Sequence, residues 1–94
     1  MEDFPKPIKV KIFYDKELKK ITGKDSEEAI ASEGIDFATQ LYFIFSSYPE
    51  ISKKFAPGIL GFLLNGREPK KDDILKDGDR LELLVLKEEF FKTK

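Results

Sequence analysis

Two stretches with an apolar residue at every second position stand at opposite ends of this chain, and they limit its fold more than any other feature. Near the start, Ile8, Val10 and Ile12 alternate with Lys9, Lys11 and Phe13; near the end, Leu81, Leu83 and Val85 alternate with Glu82, Leu84 and Leu86. A period of two is the mark of a strand that buries one face. Between them runs one long helical stripe, Phe37, Leu41, Ile44 and Tyr48, at i, i+4, i+7 and i+11. Asp36 stands ahead of it as an N-cap and Pro49 marks its end. A right-handed crossover through that helix lets the first and last strands lie side by side and parallel in the centre of a sheet. With 94 residues there is material for one core, so the expectation is a single domain over 1–94, with 1–7 a leader and 87–94 a tail that is flexible or folded back.

The intervening segments supply the rest of the sheet. Asp15 to Ile21 sets Leu18 and Ile21 three apart, one helical turn against the core, and Gly23 stops it in a left-handed conformation. Asp25 to Glu33 is rich in Glu and Ala, with Ile30 its only large apolar residue, so local preference leans away from a strand. Its place between Gly23 and Gly34 nevertheless predicts the hairpin partner of the first strand, and a polar edge discourages aggregation. Phe62 and Leu64 alternate with Gly61 and Leu63, and Asn65-Gly66 supplies a tight hairpin turn. Arg67 to Pro69 returns only briefly, because Pro69 cannot donate to a ladder. Ile74 and Leu75 are expected to tuck inward before the turn Lys76-Asp77-Gly78-Asp79. The sum is an α+β roll: a mixed sheet of four to five strands packed on one main helix at about 36–48.

Composition removes most chemistries. Nine Phe and three Tyr, in a chain that is 40% apolar, provide for a core. Seventeen basic against eighteen acidic residues leave a net charge of −1, with no overall field to hold nucleic acid. The chain contains neither Cys nor His, so thiol nucleophiles, thiolate and imidazole ligands and the commonest general base are all missing. Glu27-Glu28 and Asp72-Asp73 have no such partner nearby, and neighbours on a strand face opposite ways. Gly58 and Gly61 are not followed by the Gly-Lys-Ser/Thr of a phosphate loop. No enzyme activity, cofactor or metal is expected. Neither a signal peptide nor a stretch of roughly 18 apolar residues is present, which predicts a cytoplasmic protein without a membrane partner.

Specific residues then match a known family. Phe13-Tyr14, Leu18 and Ile21-Thr22-Gly23-Lys24 resemble the strand-one exit of MoaD-type proteins. The helix end Tyr48-Pro49-Glu50, the Asn65-Gly66 turn and the run Leu75-Lys76-Asp77-Gly78-Asp79-Arg80-Leu81 are similar to the same MoaD/ThiS sulfur-carrier family in order and spacing. The resemblance covers nearly the whole chain. It implies a ubiquitin-like β-grasp roll and a role near molybdopterin or other sulfur-transfer metabolism. It also implies a protein partner, either a large subunit or an adenylating-enzyme-like protein. In that family a C-terminal Gly-Gly is adenylated and converted to a thiocarboxylate, because a narrow channel admits backbone without Cβ. Here no glycine follows Gly78, so the carrier chemistry is not carried over.

What remains is surface. The outward side of the sheet should present Phe13, Leu63, Leu84 and Leu86, with Lys9, Lys11 and Glu82 around them. Phe90 and Phe91 in the tail either join this patch against a partner or a second copy, or fold back over it. Tyr42 and Phe43 lie off the main helical stripe and Phe45 at its margin; they could line a second contact surface, but the expectation is core beneath Ile51 to Leu60. The expected function is a non-enzymatic protein-interaction module of MoaD-related fold. The alternatives are a working sulfur carrier or protein modifier with an atypical terminus, and a structural homodimer.

Overall fold

The two alternating runs pair with each other. In a computed structural model, which describes residues 5–86, strand β1 (Pro7–Tyr14) and strand β4 (Arg80–Val85) lie parallel, with Lys11 opposite Arg80 and Tyr14 opposite Leu83. Strand β2 (Ser26–Ser32) is antiparallel to β1, and strand β3 (Leu60–Leu64) is antiparallel to β4. The sheet order is β2-β1-β4-β3. Both central strands and the edge strand β3 turn an apolar row inward, whereas the edge strand β2 offers only Glu27, Ala29 and Ala31 on that face.

Three helices cover the inner face. Helix α1 (Lys16–Thr22) starts at Asp15, whose carboxylate accepts the Leu18 N–H at 3.0 Å, and stops at Gly23 with φ 80°. The other Asp15 oxygen accepts the Val85 N–H at 2.6 Å. One side chain thus caps α1 and pins the end of β4 to it, joining residues 70 apart in sequence. Helix α2 (Phe37–Ser47) is capped by Asp36, which accepts the Thr39 N–H at 2.8 Å. Loss of either cap would cost about 1 kcal/mol. Beneath the helices, Val10, Leu18, Ile51, Leu81 and Leu83 are all fully buried, each contributing about 1.5–3 kcal/mol relative to exposure.

The sheet has four strands, because Arg67 makes only a single bridge to Leu64 and no return ladder follows. Pro49 ends α2 but also opens a second helix, α3 (Pro49–Lys54). Proline suits a first helical turn, where its missing N–H has no intrahelical partner to lose, and α3 delivers Ile51 into the core. Of the pair expected to tuck inward only Leu75 does so; Ile74 is 52% exposed. Ile74 bridges Asp36 in extended backbone, where adjacent side chains must face opposite ways.

The connection from β3 to β4 is anchored in the core by Leu75, and polar bonds hold the rest of it. Asn65 takes the positive φ that its hairpin turn needs. Its amide donates to Asp79 and its carbonyl accepts the Arg80 N–H, both at 2.9 Å. Gly78 donates to the Lys9 carbonyl, and the Lys9 N–H donates to Asp77, each at 2.8 Å. Among the described residues no helix is long and apolar enough to cross a membrane.

Candidate protein-docking face

Register fixes which side chains share the outer face of the sheet. Phe13 stands opposite Glu82 on β4, and Glu82 stands opposite Leu63 on β3, so these three form one row across the strands. Leu84 lies two residues along β4 on the same face, opposite Gly61. Gly61 matters because it has no side chain: a Cβ there would lie 3.1 Å from a Leu86 methyl. Leu86 therefore packs over the glycine, and Leu63, Leu84 and Leu86 make a continuous apolar group on β3 and β4. Phe13 is set apart from them by Glu82. The Arg80 guanidinium stacks at 4.2 Å from the Phe13 ring centroid and pairs with Glu82 at 3.7 Å. A stack of this kind at an exposed site contributes about 0.5–1 kcal/mol.

Phe13, Leu63 and Leu84 are thus on the outer face of the strands, Leu86 packs over Gly61 just past the end of β4, and all four are half-buried, with Lys9, Lys11 and Arg80 exposed around them. Phe90 and Phe91 lie outside the described residues. The three aromatics of α2 that follow Phe37 divide. Phe45 packs against the core beside Leu41, Phe55, Leu60 and Phe62, as expected of a residue under the segment that follows. Tyr42 and Phe43 do not: they are 66% and 51% exposed and stack on each other edge to face at 5.7 Å. At about 100° per residue Phe45 lies roughly 70° from the centre of the buried stripe, whereas Tyr42 and Phe43 lie roughly 130° from it on either side and face away from the core.

A polar group on the inner face escaped sequence reasoning. Glu27 points inward from β2 and accepts hydrogen bonds from the Tyr14 and Tyr48 hydroxyls, the latter at 2.9 Å, and from Lys24 at 3.3 Å. Burial pushes the Glu27 carboxyl up, but these three donors together outweigh it and hold it below its ordinary value. Burial and the Glu27 bond raise the Tyr14 phenol well above its ordinary value. The two tyrosines that bond Glu27 come from β1 and the end of α2, and only the fold brings them together.

No family model matches the chain, and no curated protein matches its sequence. Solved structures do. The "Putative molybdopterin converting factor, subunit 1" of Pyrococcus furiosus is 25% identical, with a TM-score of 0.75 over 85% of this chain and 99% of its own. Its fold is the ubiquitin-like β-grasp of MoaD/ThiS-like proteins. The small archaeal modifier protein 1 of Haloferax volcanii shares that fold at a TM-score of 0.73 and 14% identity, over 85% of this chain and 99% of its own. The protein of the same name from Methanosarcina acetivorans does so at 0.69 and 19%, over 88% and 97%. In this β-grasp chain the motif residues fall on structural turns. Thr22-Gly23 closes α1, Asn65-Gly66 takes positive φ, and Gly78 sits in the turn before β4. The carrier family's glycine pair has no counterpart among residues 79–94.

Proposed function

We propose that this MoaD-like β-grasp chain is a single-domain, non-enzymatic protein-docking module of the cytoplasm, acting through the outer face of its sheet within sulfur-transfer or molybdopterin metabolism. The observation that carries the reading is the apolar group Leu63, Leu84 and Leu86, which no described helix covers, with Phe13 held beside it by Arg80. Burying half of four such side chains would contribute several kcal/mol at roughly 25 cal/mol per Å², before the cost of association. Phe90 and Phe91 are proposed to extend the same contact. The partner is of the adenylating-enzyme or large-subunit kind that the resemblance implies.

The test is an NMR titration of the isotopically labelled chain with the purified adenylating enzyme, and separately with the molybdopterin synthase large subunit, of its own organism. Shifts or broadening concentrated at Phe13, Leu63, Leu84 and Leu86 support the reading. A response confined to the opposite side of the sheet, or none with either partner, refutes it. A sedimentation mass of twice the monomer, with the same residues protected, would instead make the face a homodimer contact.

The structural likeness to a molybdopterin converting factor and to archaeal modifier proteins favours a second reading, a working carrier or modifier. It requires the terminus to gain about 16 Da, one oxygen exchanged for sulfur, on incubation with activating enzyme, ATP and a sulfur source. An unchanged mass, beside a Gly-Gly-extended control that does change, rejects it.

A further inference from the structure

The inner face of the sheet is sealed over β1 and β4 but not over β2. There the inward side chains beyond Glu27 are Ala29 and Ala31, too short to reach α2, and a cleft of about 650 Å³ opens between strand and helix. That lies within the range of roughly 300–1,000 Å³ typical of small-molecule sites. Ile12 and Ile44 form apolar walls, and the half-exposed Phe43 and the largely buried Tyr48 add aromatic ones. Two polar features make it more than a packing gap. Glu27 closes part of it with its carboxylate already engaged by Tyr14, Tyr48 and Lys24. Gln40, only 4% exposed, lines it too, and its side-chain carbonyl oxygen has no hydrogen-bond partner among the described residues. Buried acceptors are rarely left unpaired. The terminal torsion of glutamine is soft, so the amide can turn toward a donor entering the cleft.

We propose that the cleft between β2 and α2 binds a flat aromatic small molecule carrying an N–H or O–H donor, the donor meeting Gln40 and the ring lying over Ala29 and Ala31 beside Phe43. The Glu27 carboxylate disfavours an anion there, because its own donors are already used. The cleft is on the side of the sheet opposite Phe13, Leu63 and Leu84, so it is independent of the docking face and is read by different amides.

Indole is a suitable probe, with 1-methylindole, which has lost the donor, as its control. Titration of the labelled full chain with indole should give saturable shifts at Ala29, Ala31, Gln40 and Ile44, and 1-methylindole should bind at least about fivefold more weakly. Ala29→Leu fills the cleft and should abolish those shifts while the rest of the spectrum remains that of the folded chain; Ala31→Leu provides a second filling variant. The proposal is overturned by the absence of saturable shifts with millimolar indole, by equal affinity for the two indoles, or by an unchanged response in the filled variants. If both variants unfold, the comparison of the two indoles on the native chain decides the matter alone.

Discussion

Strand β4 carries leucines on both of its faces, and they have different surroundings. Leu81 and Leu83 point inward and are fully buried, packed with Val10, Ile12, Leu18 and Ile51 in the core. Leu84, one residue on, points outward, with Leu63 and Leu86 for company and no helix above it. The same side chain on the same strand therefore supports the fold on one side, while on the other it lies on the face where we propose that a partner docks. The division follows from pleat alternation alone, which sends successive residues to opposite faces. Residue type does not distinguish the two roles; register does.

Substitutions on the two faces should accordingly separate stability from binding. The largest effect is expected at Leu83→Ala, which should lower unfolding free energy by about 2–5 kcal/mol through lost burial and a residual cavity. Urea denaturation measures it, as a shifted midpoint with an unchanged slope. A loss below 1 kcal/mol would mean that the inner face is not the core.

Next in size is Glu27→Gln, which removes the charged acceptor shared by Tyr14, Tyr48 and Lys24 and should cost about 1–3 kcal/mol at neutral pH. The same variant has a pH signature. Glu27 lies below its ordinary value of 4.5 in the folded chain, so the unfolded chain takes up that proton more readily. Its contribution is complete above about pH 4.5 and is lost as pH falls through the lower folded value. Glu27→Gln should flatten the acid side of the stability profile. It should not abolish it, because Asp36, bonded by Thr39, and Asp73, bonded first by the Lys70 backbone N–H, are lowered as well. The smallest effect belongs to Ile30→Thr. Ile30 is 64% exposed on the outer face of β2, and its replacement should change stability by no more than about 0.5 kcal/mol.

The frame of the molecule was legible because its strongest periodicities belong to its most buried elements. Ile8 to Ile12 and Leu81 to Val85 could serve only as half-buried strands, and the stripe from Phe37 to Tyr48 only as the helix that crosses between them. β2 was recoverable from its bracketing glycines and its place in the order, against the preference of its own residues. Three features depended on contacts that local pattern does not encode. Pro49 reads equally as a stop and as a start. Ile74 adjoins the buried Leu75 in sequence, yet extended backbone sends the two to opposite sides. The exposure of Tyr42 and Phe43 depends on the path of the segment after α2, which only tertiary packing decides. Of the outer face, Phe13, Leu63, Leu84 and Leu86 followed from alternation, whereas the glycine that lets Leu86 lie down, the Arg80 stack and the Glu27 cluster needed the strand register.

The central claim is that Leu84 serves recognition while Leu83 serves the fold, and calorimetric titration of the adenylating enzyme or large subunit into native, Leu84→Glu and Leu83→Ala chains tests it most directly. The account predicts that Leu84→Glu loses measurable binding while its urea midpoint moves by less than about 1 kcal/mol equivalent. It predicts that Leu83→Ala, under conditions where it is still folded, binds as the native chain does. Native-like affinity in Leu84→Glu, or a loss of binding in Leu84→Glu only in proportion to a loss of fold, would contradict it.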